Sequence, residues 1–112
     1  MKTLFICNQG QNRSKTAELL FKDKFNTKSA GLYNNIVTEK EIEWAEVIFV
    51  MTDEQRKEIS KRFPKQYLQK IILSLNISDV YYFNQPELIE LLNKKLYLIL
   101  PKMNEAINLL AN

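Results

Sequence analysis

The residues best suited to chemistry sit near the start of the chain. Cys7 is followed by the polar run Asn8, Gln9, Gly10, Gln11 and Asn12, and then by Arg13 and Ser14. Residues 2–7 are apolar and partly β-branched, the signature of a short buried strand, whereas Ala17, Leu20, Phe21 and Phe25 recur at helical spacing after Arg13. The thiol therefore stands where a strand ends, and the arginine where a helix opens. A loop entering a helix N-terminus gathers backbone N–H donors about one point, and with the helix dipole it favours an anion. The same donors favour a thiolate over a thiol. Arg13 adds a planar fork suited to two phosphoryl oxygens at once, and Gly10 supplies a position where positive φ is free. In isolation a cysteine ending a strand reads first as buried apolar filler. Cys followed six residues later by Arg is also a weak pattern. Its place between strand and helix, with Ser14 after the arginine, turns the reading toward an anion site.

The elements that must hold this loop follow from the rest of the pattern. A second short strand is expected over 27–30, ended by Gly31. Thr38 and Glu41 form a capping box, which predicts a short helix to about Ala45. Residues 47–51 are a continuous apolar run, the form of a central parallel strand covered on both faces. A charged helix is expected over 53–62, with Ile59 and Phe63 inward and Pro64 as its stop, then a fourth strand over 70–75. Pro86 suits the first turn of the last helix, which Pro101 should kink or split before Met103 to Leu110 complete it. Strands alternating with helices define an α/β fold, a three-layer, four-stranded parallel sheet flanked by helices, in one domain over 1–112.

Composition narrows the chemistry. The 112 residues include no histidine, one cysteine and two glycines. Without His there is no Ser-His-Asp triad, no Cys-His dyad and no imidazole metal ligand. One Cys excludes an internal disulfide, a Cys-rich zinc site and a Cys-X-X-Cys redox pair. A catalyst must be built from carboxylates, one thiol, hydroxyls, Lys, Arg and backbone amides. The apolar run before Asn8 is too short for a signal-peptide core, and no stretch approaches the roughly 20 apolar residues of a membrane span. A cytoplasmic, reducing compartment is the expectation, with no membrane partner. The net charge of +3 is too small to argue for nucleic acid. The basic cluster Arg56, Lys57, Lys61, Arg62 and Lys65 is interleaved with Glu54 and Glu58, as an ordinary solvated face is, so no nucleic-acid partner is expected.

The run Cys7-Asn8-Gln9-Gly10-Gln11-Asn12-Arg13-Ser14 resembles the Cys-(X)5-Arg-Ser phosphate loop of the low-molecular-weight protein tyrosine phosphatases. Three further stretches are similar in order. Ser29-Ala30-Gly31 resembles the family's segment after its second strand, Trp44 to Met51 its "ADLILVM" strand, and Ser78-Asp79-Val80-Tyr81-Tyr82 its Asp-Pro-Tyr-Tyr loop. The resemblance covers nearly the whole chain.

It implies that Cys7 attacks phosphorus and forms a phosphocysteine, that Arg13 binds the equatorial oxygens, and that Ser14 hydrogen-bonds the thiolate. Asp79 matches the general acid, and Tyr81 and Tyr82 would wall the cleft against an aryl phosphate, although Tyr82 is also readable as core. The loop from Asn8 to Ser14 would bind the phosphoryl group. Such a mechanism uses no metal and no cofactor, and its substrate would be a phosphotyrosine protein or a small aryl phosphate. The chain also departs from the family. Gly10 stands where many members have a bracing asparagine, Asn12 where eukaryotic members have a second cysteine, and Val80 where the acid loop has proline. Thr52-Asp53 replaces the Asp directly after the third strand, and residues 31–44 form a much shortened substrate wall with Tyr33 as its aromatic remnant. Two other readings stand beside this one. They are a non-catalytic phosphate-binding module, and an arsenate reductase, which would need an external thiol because Cys7 has no partner in the chain.

Overall fold

The computed structural model describes residues 1–111; Asn112, the last residue of the expected domain, lies outside the described residues. Strands β1 (Lys2–Cys7), β2 (Asn26–Gly31), β3 (Val47–Val50) and β4 (Ile71–Ser74) form a wholly parallel sheet in the order β2-β1-β3-β4. Helices α1 (Arg13–Leu20), α2 (Glu39–Trp44), α3 (Asp53–Arg62), α4 (Pro64–Gln69) and α5 (Pro86–Ala111) connect and flank them. The α/β three-layer expectation is met.

The two-residue period of the strands divides the core into two layers. Phe5, Cys7, Val47, Phe49, Met51 and Leu73 point to one face, where Ala17 and Phe21 of the α1 region and Leu88, Leu92, Leu96 and Met103 of α5 cover them. Leu4, Ile6, Ile48, Val50 and Ile72 point to the other, against Ile42 of α2 and Ile59 of α3. Burial of both faces explains why β1 and β3 read as unbroken apolar runs. Phe5 joins the layer laterally, stacking on Phe21 at 5.8 Å and on Phe49 at 5.5 Å between ring centroids.

Helix starts follow local chemistry. The Thr38–Glu41 capping box forms as expected, and a second, Thr52–Gln55, opens α3. One expectation is extended, one narrowed and one corrected. Pro64 ends α3 but also occupies the first turn of α4, a position that tolerates its missing N–H. Pro101 does not split the last helix, which runs from Pro86 to Ala111. Its ring removes the bond to the Tyr97 carbonyl, and Tyr97 is solvent-exposed, so water can satisfy that group. Phe25 lies beyond the end of α1, and the buried side of that helix is Arg13, Ser14, Thr16 and Ala17. A mostly polar buried face on a short helix is the first structural sign of a site. No helix among the described residues is long and apolar enough to cross a membrane.

In the β1–β2 register Cys7 lies opposite Gly31. A Cβ built on Gly31 would come within 2.0 Å of the Asn34 carbonyl oxygen and 2.7 Å of the Gly10 nitrogen, so backbone meets backbone there. Gly31→Ala should therefore lower the free energy of unfolding by about 3 kcal/mol, read from urea melts, because nothing flexible can give way. A loss below ~0.5 kcal/mol would show that the contact is slack.

Candidate active site

In an open parallel sheet, ligands bind beyond the carboxyl ends of the strands where the strand order reverses, here between β1 and β3. Residues 8–12 leave β1 at this point and enter α1. Gly10 takes φ +66°, and a Cβ there would meet the Gly31 nitrogen at 2.8 Å and the Ala30 carbonyl carbon at 2.9 Å. Glycine is therefore required both by conformation and by space. The turn brings the Gly10 N–H to 3.2 Å from Cys7 Sγ, to which it donates. Ser14 Oγ lies 3.1 Å from the same sulfur. With the sulfur ionised, the hydroxyl is the donor, and two donors then stabilise one negative charge. Cys7 is buried and unpaired with another thiol. No side chain caps the N-terminus of α1, which leaves its first-turn amides free to face the loop.

Arg13 is among the largest fully buried side chains, at 1% exposure. One guanidinium nitrogen, Nη1, donates to the Ile77 carbonyl at 2.7 Å. Nη2 lies 3.6 Å from Asp79 Oδ1, whose side chain is 58% exposed. Buried Nε has no hydrogen-bond partner among the described residues. A buried charge carrying an orphaned donor is costly unless an anion completes its shell. The Nε–Nη2 edge is the one a tetrahedral anion binds bidentately.

Neighbouring segments hold the loop from three sides. The Asn8 carbonyl accepts the N–H groups of Leu32 and Tyr33 at 3.0 and 2.9 Å. Asn35 Nδ2 donates to the Gln9 carbonyl at 3.1 Å. Thr16 Oγ1 donates to the Asn12 carbonyl at 2.7 Å and accepts from the Asn84 N–H at 2.9 Å, tying α1 to the segment after Asp79. The shortened 31–44 segment is thus a brace for the loop. A cleft of about 270 Å³ opens here, lined by Asn8, Arg13, Leu32, Tyr33, Thr52, Glu54, Gln55 and Asp79.

The structure brings Cys7 together with Gly10 and Ser14 and sets Arg13 beside Asp79, with Asn8 lining the same cleft, whereas Gly10 and Gln11 line a neighbouring one. The tyrosines fall elsewhere. Tyr81 is half-buried against the core and lines a different cleft with Glu87, Glu90, Leu91 and Lys94. Tyr82 is 64% exposed, neither core nor part of the Arg13 cleft. Tyr33 is the aromatic that lines it, with the Arg62 guanidinium 5.4 Å from its ring centroid and Arg62 Nη1 donating to the Leu32 carbonyl at 2.6 Å. Arg62 also pairs with Glu58, and Arg56 with Asp53, so two members of the basic cluster are engaged. Among the described residues no group of three or more Cys, Asp or Glu side chains gathers as metal ligands would. Sequence reasoning missed Gln55, which is 2% exposed. Its Oε1 accepts the N–H groups of Met51 and Thr52 at 2.7 and 3.2 Å, and its Nε2 donates to Asn8 Oδ1 at 3.0 Å. The signal was present as Thr52-x-x-Gln55, a capping-box spacing.

The architecture, a four-stranded parallel sheet flanked by helices with Cys7 at the end of the first strand, is the fold of the low-molecular-weight protein tyrosine phosphatases. Three solved structures illustrate it. The low molecular weight protein tyrosine phosphatase from T. tengcongensis is similar over 94% of this chain and 99% of its own, with a TM-score of 0.72 and 16% identity. SP-PTP, the low molecular weight protein tyrosine phosphatase from Streptococcus pyogenes, is similar over 90% of this chain and 91% of its own, at 0.72 and 18%. The YwlE arginine phosphatase from Geobacillus stearothermophilus is similar over 96% of this chain and 92% of its own, at 0.65 and 19%. Neither a protein-family model nor a curated protein matches the sequence.

If the Nε–Nη2 edge is an anion site, Arg13→Lys should weaken binding of orthovanadate at least about tenfold by calorimetry, because an ammonium cannot reproduce the fork. Unchanged affinity would place the anion elsewhere.

Proposed function

We propose that this protein is a cysteine-dependent phosphatase hydrolysing phosphotyrosine or a related aryl phosphomonoester. The observation that carries the reading is the buried Arg13 with an unpartnered Nε, on the same loop as a buried thiol whose sulfur has the Gly10 N–H at 3.2 Å and the Ser14 hydroxyl at 3.1 Å. In this mechanism the Cys7 thiolate attacks phosphorus as the bond to the phenolic oxygen breaks. Asp79 protonates that oxygen. Loop amides and the Arg13 fork hold the equatorial oxygens where charge is spread, the kind of stabilisation that is usually the largest catalytic contribution. Asp79, now ionised, takes a proton from water as the water attacks the phosphocysteine. The S–P bond breaks, and the Ser14 hydroxyl stabilises the departing thiolate. The exposed Asp79 carboxylate beside Arg13 supports an acid placed at the mouth, which a simple phosphate binder would not need. The exposed ring of Tyr33 supports an aryl leaving group. A chemistry resting on one free thiol suits a reducing compartment such as the cytoplasm.

A second reading, phosphoarginine as substrate, is favoured by one observation. Glu54 lines the cleft together with Asp79, and two carboxylates at its mouth suit a guanidinium leaving group. The arginine phosphatases of Geobacillus stearothermophilus and Drosophila share the fold.

Hydrolysis of p-nitrophenyl phosphate without added metal should be abolished by Cys7→Ser, whereas a retained rate would sink the thiolate mechanism. Asp79→Asn should lower kcat about 10²–10³-fold and move KM little. An unchanged kcat would remove Asp79 from the acid role. The two substrate readings separate on peptides. Glu54→Gln should cost a phosphoarginine peptide about tenfold in kcat/KM and a phosphotyrosine peptide little if the second reading holds. Equal effects on both peptides favour the first.

A further inference from the structure

The contact between Gln55 and Asn8 crosses from the turn after β3 to the phosphate loop. Every atom of the Gln55 amide is committed. Two backbone N–H groups, of Met51 and Thr52, fix its carbonyl oxygen, which settles the orientation of the amide without ambiguity. Its nitrogen must then be the atom facing Asn8, and that donor fixes the Asn8 acceptor in turn. The orientation of Asn8 follows by elimination. With Oδ1 taken by Gln55, the Nδ2 donors of Asn8 make no hydrogen bond among the described residues, and Asn8 lines the cleft that Arg13 and Asp79 share. Its backbone is held as well, through the Leu32 and Tyr33 N–H groups on its carbonyl. A side chain pinned at backbone and acceptor, with two donors left over, is a prepared hydrogen-bonding arm.

We propose that the Asn8 side-chain amide is a neutral donor arm of the anion site, and that Gln55 is the positioning residue that turns its Nδ2 rather than its Oδ1 toward the bound phosphoryl group. The proposal deepens the phosphatase reading of the same cleft. It assigns to the residue after the nucleophile a side-chain role beyond the backbone donors of the loop. The chemistry it recognises is an oxygen of a tetrahedral oxyanion, to which a neutral amide donates without adding charge.

Gln55→Glu isolates the orientation. A carboxylate still accepts from Met51 and Thr52 and keeps the capping box, but cannot donate to Asn8. The Asn8 amide then gains by turning over, which presents its carbonyl oxygen to the anion. Orthovanadate affinity, measured by calorimetry, should fall about tenfold in Gln55→Glu and about three- to tenfold in Asn8→Ala. In the Asn8→Ala background, Gln55→Glu should add less than about twofold, because the arm it misdirects is gone. A tenfold loss persisting in that background would mean that the new charge, not the arm, weakens binding, and would overturn the proposal. So would vanadate binding as tight in Asn8→Ala as in wild type, or no vanadate binding by the wild type. If Gln55→Glu fails to fold, the 15N side-chain amide signals of Asn8, assigned by their loss in Asn8→Ala, decide. They should move on titration with inorganic phosphate, and immobility overturns the proposal. Vanadate binding that follows this pattern without hydrolysis of any phosphoester would leave the arm standing and remove the phosphatase reading instead.

Discussion

The site depends on a contact between the only two glycines of the chain. Gly10, at the crown of the loop after Cys7, and Gly31, at the end of β2, approach so closely that neither could carry a Cβ without a backbone collision. This approach lets the loop fold down over the strand ends. The amide of Gly10 then meets the sulfur of Cys7, while the segment after Gly31 returns its own N–H groups to the Asn8 carbonyl. Parallel pairing of β1 with β2, which sets Cys7 opposite Gly31, puts the two glycines within reach. A side chain at either position would lift the loop and disperse the donors around the thiol.

Inside that frame the dominant electrostatic fact is a guanidinium taken almost wholly out of water. Arg13 is compensated on one side by the Ile77 carbonyl and only partly by the exposed Asp79. Burial raises the strength of every interaction the guanidinium makes and raises the cost of those it lacks. The orphaned Nε is thus a hydrogen bond that the fold leaves unmade at a buried charge. Marginal local stability of this kind is common where a binding surface is organised in advance. The hydrogen bonds of Thr16, Asn35 and Gln55 keep the loop from relaxing around the arginine to satisfy it.

Much of this was legible in the residues. The apolar runs at 2–7 and 47–51 declared parallel strands because both of their faces are buried, and the spacing of Cys7, Arg13 and Ser14 declared the loop. Legibility failed where a residue has two local roles. Pro64 both stops one helix and starts the next, and Pro101 sits inside a continuous helix on a turn whose Tyr97 is solvent-exposed, which no sequence window reveals. Gln55 looked like one polar residue in a charged helix. Its amide faces inward because the capping turn of α3 lies directly beside the loop after Cys7.

The order of residues determined by itself which groups were present and which local elements they would enter. A strand, a polar loop and a helix opening on Arg13 are set by periodicity and capping over a few neighbouring positions, where short-range sterics and hydrogen bonding decide. The third dimension alone decided which distant groups share the cleft. Tyr33 and not Tyr82 walls it, Asp79 reaches Arg13 across 66 positions, and Gln55 meets Asn8 across 47. The reason is the crossing order of the sheet. Strands far apart in sequence end side by side at one edge, and the loops they release are brought together only when both layers of the core have closed.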